Sequence, residues 1–432
     1  MRKFLLAAAV TLLAAGGGAS CAFADQSAPA SASSTQAAQD GPIQPKLQGN
    51  IERNLPDEPL VTARHGMVVS AQHLATQIGV DILQQGGNAV DAAVAVGYAL
   101  AVVHPCCGNI GGGGFMTLHL ADGQNLFLDF REKAPLAATE DMMQNAAGQV
   151  VKGRSTRTYL GVGVPGTVLG FDEALKHHGT MTLQQVIAPA IKLAKDGYTL
   201  EAGDVRILDT STDAFRRSPN VAATFLDHGQ PWKAGQVLKQ PELARTLEMI
   251  SEDGSKAFYD GPIAAAVVKA SEANHGLLTL QDFRDYTVQW ERPIECGYHG
   301  YTIYSAPPPS SGGTTICETL QIIAPYPFAE WGFHSTKSVH YFVEAERRAF
   351  ADRNTYLGDP AFVDNPITKL LSAEHAAELR ASIKPDQATP SSEVQGSLGP
   401  YQATNTTHYS VVDGKGNAVA VTFTINSYFG IK

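Results

Sequence analysis

The sequence predicts a mixed fold of helices packed on antiparallel hairpins, α+β or α/β in class. Three observations predict it. Residues 406–426 carry two period-2 runs around a Gly-rich turn, and residues 115–130 repeat the pattern around Asp122-Gly123. Ahead of both, residues 70–103 hold two helical patterns separated by Gly86-Gly87-Asn88. The second of these is Ala/Val-rich nearly all round, as a buried helix must be. With 432 residues, 44% of them hydrophobic, the chain has material for a sizeable core. Its formal charge of −10 argues against a nucleic-acid or anionic-membrane surface.

The chain opens with Met1-Arg2-Lys3, an apolar run over 4–15 and a small-residue stretch ending at Ala24. This is the pattern of a secretory signal peptide, residues 1–24, and it predicts export to a periplasm or beyond. The apolar run is short for a membrane span. Cys21 offers a lipoprotein reading, against which stands Gly18 three places earlier. Residues 25–60 begin with an Ala/Ser/Gln/Pro-rich segment and are expected to be disordered. Cys106, Cys107, Cys296 and Cys317 then allow three full pairings, none chosen by the sequence, or buried thiols.

The helices follow from local signals. Ser70 is placed to cap a helix to Gln85 with an apolar stripe of Leu74, Ile78, Ile82 and Leu83. A second helix spans 89–103 and stops at His104-Pro105. Next comes Gly108-Asn109-Ile110-Gly111-Gly112-Gly113-Gly114-Phe115, which has neither the Walker nor the Rossmann spacing and reads locally as a tight turn. Further helices are expected from 163 to about 176, over 183–196 with Thr182 as cap, and at about 241–252, 262–275, 314–324 and 340–356. The charges of the last one, Glu344, Glu346, Arg347 and Arg348, predict i,i+4 pairs and a solvated face. Residues 297–304 are strand-like, and 384–404 read as a loop.

The terminal hairpin has two sides. Val419, Val421, Phe423 and Ile425 share an apolar face with Tyr409 and Val411. Ala418, Ala420, Thr422, Thr424 and Asn426 share the other with Thr406, His408 and Ser410. A three-residue loop, 414–416, keeps the faces consistent and sets Thr406 opposite Thr424, with Asn426 one diagonal step away. This polar face is either a solvated sheet surface or a place for chemistry. Asn405-Thr406-Thr407 also fits a glycosylation sequon.

The string Thr406-Thr407-His408-Tyr409-Ser410-Val411-Val412-Asp413, its Gly-rich turn and the following Ala-Val-Ala-Val-Thr-Phe-Thr-Ile-Asn resemble the processing site of gamma-glutamyltransferases. The Pro105 to Phe115 block and Asp129-Phe130-Arg131-Glu132 match further segments of that family, and the resemblance runs from about Gly66 to the end. It implies an N-terminal-nucleophile hydrolase with an αββα four-layer sandwich, hence α+β. It also implies self-cleavage at Asn405–Thr406, with Thr406 as the freed nucleophile. Residues 61–405 would form the large-subunit region and 406–432 the start of the small subunit, the two pairing as a heterodimer. Arg131 would hold the substrate's α-carboxylate, a task suited to a planar guanidinium, although an Arg between acids is also an ordinary surface ion pair. Thr424 would hydrogen-bond Thr406, and Asn426 would contact the glutamyl end.

The implied substrates are glutathione and other γ-glutamyl compounds, with water, amino acids or peptides as acceptors. No metal or organic cofactor is required. By the same resemblance, further strands, glutamyl-binding residues and a Gly-rich oxyanion region would follow Lys432. The chain therefore reads as a truncated precursor, weakly active or inactive alone. Two other readings compete: a glutaryl acylase of the same family, and an inactive remnant or exported binding protein.

Overall fold

The computed structural model describes residues 61–394 and 406–432. The expectations for 1–24, 25–60, the last part of the 384–404 loop and Asn405 lie outside the described residues. In chain order the main elements are β1 (Gly66–Val69), α1 (His73–Gln84), α2 (Ala89–Val103), β2 (Gly113–His119) and β3 (Asn125–Asp129). There follow α3 (Thr167–His178), α4 (Leu183–Asp196), α5 (Pro241–Asp253), α6 (Pro262–Ala273) and β4 (Gln289–Glu291). Then come β5 (Ile294–Tyr298), β6 (Tyr301–Ser305), α7 (Gly312–Ile323), α8 (Thr336–Tyr356), α9 (Ala373–Ala381), β7 (Thr406–Asp413) and β8 (Ala418–Thr424). Short helical turns lie between them. Among the described residues, no helix is long and apolar enough to cross a membrane.

Six strands form one antiparallel sheet in the order β1–β7–β8–β2–β3–β4. The class is α+β; the helices on this sheet supply an outer layer of the expected sandwich and the sheet an inner one. The last hairpin of the chain is the centre of the sheet. Its register is the expected one, with Thr424 opposite Thr406. Asp413 and Asn417 close a three-residue loop, in which Gly416 takes φ +93°, a value that favours glycine. The apolar face packs on α2, every residue of which is buried. The Tyr409 hydroxyl donates to the Ala93 carbonyl at 2.9 Å, and the Phe423 ring meets Phe171, which in turn meets Tyr98 and Phe130.

Asp413 pins the hairpin to that helix. Its carboxylate accepts from the Lys415 and Asn417 backbone N–H groups, the Asn417 side-chain amide and the N–H of Ala89, the first residue of α2. Burial opposes ionisation, yet these hydrogen bonds hold the carboxyl below the usual range. A depressed pKa contributes stability above the unfolded value, and that contribution is lost as pH falls through the folded value. Asp413→Asn is thus expected to cost about 2 kcal/mol near neutral pH, because its NH2 group would face donors, and to flatten the acid limb. Urea unfolding at pH 7 and across the acid range checks both; an unchanged acid limb would show that Asp413 is not the linked group.

Several sequence expectations are corrected. The cap of α1 is Gln72, whose side chain accepts from the N–H groups of Leu74 and Ala75, while Ser70 donates to the Gln72 carbonyl. The strand-like 297–304 segment is split by a hairpin turn at His299 and Gly300, both with positive φ, joining β5 to β6. On α8, the Glu344–Arg348 pair forms at 2.6 Å but is buried rather than solvated. Glu344 also accepts from the N–H and hydroxyl of Thr389, so the 384–404 segment is anchored at that point. Cys296 and Cys317 form a disulfide, whereas Cys106 and Cys107 are free and buried with sulfurs 2.7 Å apart.

Candidate active site

The site is built where the two hairpins meet. β8 pairs with β2 as well as β7, and Thr424 sits between Thr406 on one side and Gly113 on the other. On β2's far side, Gly114 and Phe130 exchange two backbone hydrogen bonds, which carries the β3 pairing one residue past Asp129. The next residue, Arg131, falls beside Gly113. Thr406, Thr424, Gly113 and Arg131 therefore form one row across four strands. Paired residues point to the same side of a sheet, so both threonines and Arg131 project from the face opposite α2. Phe130, between Asp129 and Arg131, points the other way and is fully buried.

Each member of the row is held locally. Thr406 is exposed at the first position of β7. Thr424 is only 5% exposed, and its hydroxyl oxygen accepts from the Asn426 backbone N–H at 2.9 Å. Asn426 does not share the strand face as expected. β8 ends at Thr424, and Asn426 turns into the left-handed region at φ +68°, which asparagine tolerates, leaving its side chain exposed. The chain then folds into a Ser427–Gly430 turn.

The glycine block has a physical account. A Cβ on Gly112 would lie 2.0 Å from the Thr424 carbonyl oxygen, and one on Gly114 would lie 2.4 Å from that of Thr422. These glycines let the block press against the end of β8 and fix Thr424. Asn109 secures it: buried, its side-chain oxygen accepts from the Gly112 N–H and the Thr167 hydroxyl.

Arg131 lies in a cleft of about 890 Å³ lined also by Asp129, Glu132, Lys133, Glu291 and Asp359. The Tyr286 hydroxyl donates to its carbonyl, and its own N–H donates to Asp129 Oδ1 at 2.7 Å. Its guanidinium lies 5.7 Å from the centre of the Phe115 ring and 3.9 Å from Glu132, a loose pair at 44% side-chain exposure. The group is oriented but not consumed by a tight salt bridge. Burial pushes Asp129 above the usual carboxylate range, against the N–H and charge of Arg131, and burial and then Asp129 push Glu291 the same way. Further along the face, His408 bonds Thr422 Oγ1 at 2.7 Å and Ser410 Oγ at 3.2 Å.

The sequence pointed to Thr406, Thr424 and Arg131 but not to their common row, nor to Tyr286 and Asn109. Asn109 carried a signal in its place within the glycine block. Tyr286 lies over 150 residues from its partner and carried none. Among the described residues, two clusters have donor atoms suited to a metal, His104–Cys106–Cys107 and Glu318–Asp352–His375; neither contains Thr406 or Arg131.

Known proteins resemble this chain in sequence and fold. A family profile described as Gamma-glutamyltranspeptidase matches residues 75–432. The glutathione hydrolase proenzyme of Pseudomonas sp. (strain A14) is 54% identical over 373 residues, covering 86% of this chain and 65% of the relative. The chain thus spans just under two thirds of that relative's length. The acylase ACY 1 proenzyme of Pseudomonas sp. (strain V22) is 39% identical over 85% of the chain and 67% of its own length. Among solved structures, the Helicobacter pylori gamma-glutamyltranspeptidase superposes with a TM-score of 0.77 at 41% identity, over 80% of this chain and all of that one. The chain belongs to the gamma-glutamyltranspeptidase family.

Proposed function

We propose that the protein is the precursor of an exported γ-glutamyltransferase and glutathione hydrolase that cleaves itself at Asn405–Thr406. The observation that carries this reading is the shared row: a hydroxyl nucleophile and a guanidinium on one sheet face, three strand steps apart, or about 14 Å between backbones. An arginine side chain spans much of that distance, and a γ-glutamyl group, amide at one end and α-carboxylate at the other, bridges the rest. Once freed, the α-amino group of Thr406 titrates near neutrality and serves as the base. Thr406 Oγ attacks the γ-carbonyl, its proton passes through the amine to the departing amide nitrogen, and an ester remains. Water then yields glutamate, or an amino acid or peptide yields a new γ-glutamyl amide. Arg131 grips the α-carboxylate through paired hydrogen bonds, Thr424 tunes Thr406, and Asn426, at the exposed mouth, contacts the glutamyl end. This chemistry needs no metal or organic cofactor. Residues 1–24 direct export to the periplasm.

The similarity to an acylase supports a second reading, cleavage of glutaryl amides, which would keep Thr406 and Arg131. The higher identity to a glutathione hydrolase favours the first. The product of the complete gene should show two chains by intact mass, the second beginning at Thr406. It should release aniline from a γ-glutamyl anilide at least tenfold faster than from the glutaryl anilide. The opposite preference would establish the acylase, and one uncleaved, inactive chain would remove the catalytic reading altogether.

A further inference from the structure

Three metal-ligating side chains converge from three helices outside the six-stranded sheet. Glu318 on α7, Asp352 on α8 and His375 on α9 each present one ligand atom, all within 4.8 Å of one another. His375 Nε2 stands 2.6 Å from Asp352 Oδ2 and 3.7 Å from Glu318 Oε1. Glu318 is 1% exposed; no donor lies within hydrogen-bond distance of its Oε1, and its carboxyl stands beside that of Asp352. A buried carboxylate oxygen left unmatched is costly, and such groups are kept where something binds them. Thr314 and Gln321, one turn before and after Glu318, also carry buried oxygens without a protein partner.

The surroundings give a cation something to do. The apolar clusters of this region are small: Ile322, Ile323, Tyr341, Ala345, Ala376 and Ile383 in one, Ile294, Cys296 and Cys317 in the other. A small core gains disproportionately from cross-links, and the Cys296–Cys317 disulfide already ties β5 to α7 beside Glu318. One imidazole and two carboxylates make a donor set for a borderline divalent ion. Ligands around tetrahedral zinc lie roughly 3.4 Å apart. The His375–Glu318 separation is close to this, whereas the His375–Asp352 contact of 2.6 Å would have to open toward it for zinc to enter.

We propose that Glu318, Asp352 and His375 form a structural site for a divalent first-row cation, zinc being the probe ion, that clamps α7, α8 and α9 together. The claim does not depend on the γ-glutamyl reading. The test uses the untagged chain carrying Cys106→Ala and Cys107→Ala, so that the cysteine cluster cannot contribute. Stripped with chelator, this parent should take up one equivalent of zinc by calorimetry and by mass-spectrometric metal counting, with a rise in its thermal midpoint. X-ray absorption on the loaded parent should show only nitrogen and oxygen ligands, with one imidazole. Glu318→Gln and, separately, His375→Gln should weaken zinc at least tenfold and abolish the midpoint rise. No zinc bound by the parent, leaving the cluster to a shared proton, overturns the proposal. So does a shell with sulfur or several imidazoles, which is readable even where a cluster variant fails to fold, and so does undiminished binding in both variants.

Discussion

Thr406→Ala is expected to leave a single uncleaved chain with no γ-glutamyl transfer or hydrolysis. Both results have one cause. In the proposed mechanism the Thr406 hydroxyl is the attacking atom in self-cleavage and, once its α-amino group is free, in turnover. Alanine removes the hydroxyl and keeps the β-carbon, and the position is exposed at the first residue of β7, so the sheet should be unaffected. The loss should be roughly 10⁴-fold or more, the scale seen when a covalent nucleophile is deleted. Thr406→Ser keeps the hydroxyl and should still cleave. Intact mass and anilide turnover on the complete gene product read the two outcomes. Cleavage persisting in the alanine variant would move the nucleophile elsewhere.

The second large effect should come from Arg131→Ala, and it should separate the two roles. Self-cleavage does not use the substrate's carboxylate, so this variant should still give two chains. Its kcat/KM for γ-glutamyl anilide should fall roughly 10²–10³-fold, the worth of two hydrogen bonds between charged partners. Arg131→Lys should recover only part, because an ammonium cannot match both carboxylate oxygens. The Glu132 contact is loose, so little ion-pair energy is lost with the side chain. An unchanged kcat/KM would return Arg131 to the ordinary surface pair its sequence context also allowed.

Much of this was legible in the chain because the signals are local. Alternation along 406–423 set which face of the terminal hairpin packs on α2, and a one-residue slip would have exposed Phe423, so its register had one solution, although Thr424 on the other face is buried as well. The nearly all-apolar pattern of 89–103, interrupted only by Asp91, fixed α2 to the residue. What was not legible is which hairpin edges pair. Nothing in the local pattern says that β8 lies against β2, and only that pairing brings Arg131 into the Thr406 row. The misread helix cap and charged face fail for the same reason. Gln72 is an uncommon cap, and Glu344 is buried by Thr389, 45 residues away. Asn426 departs from its strand through a backbone conformation that side-chain alternation does not encode.

The position of β7 and β8 has a consequence for timing. The two strands are the last portion of this sequence, yet they occupy the middle of the sheet, between β1 and β2. Strands β1 and β2 are synthesised some 300 residues earlier and have no ladder to each other; they wait for a late insertion. Closure of such a sheet rests on contacts distant along the chain, which makes it slow and places it near the end of folding. The proposed scissile bond, at the head of β7, therefore reaches its working geometry only after β1 and β2 have received this hairpin. In the proposed mechanism self-cleavage thus waits on the assembly of this sheet, not on the local sequence around Thr406 alone.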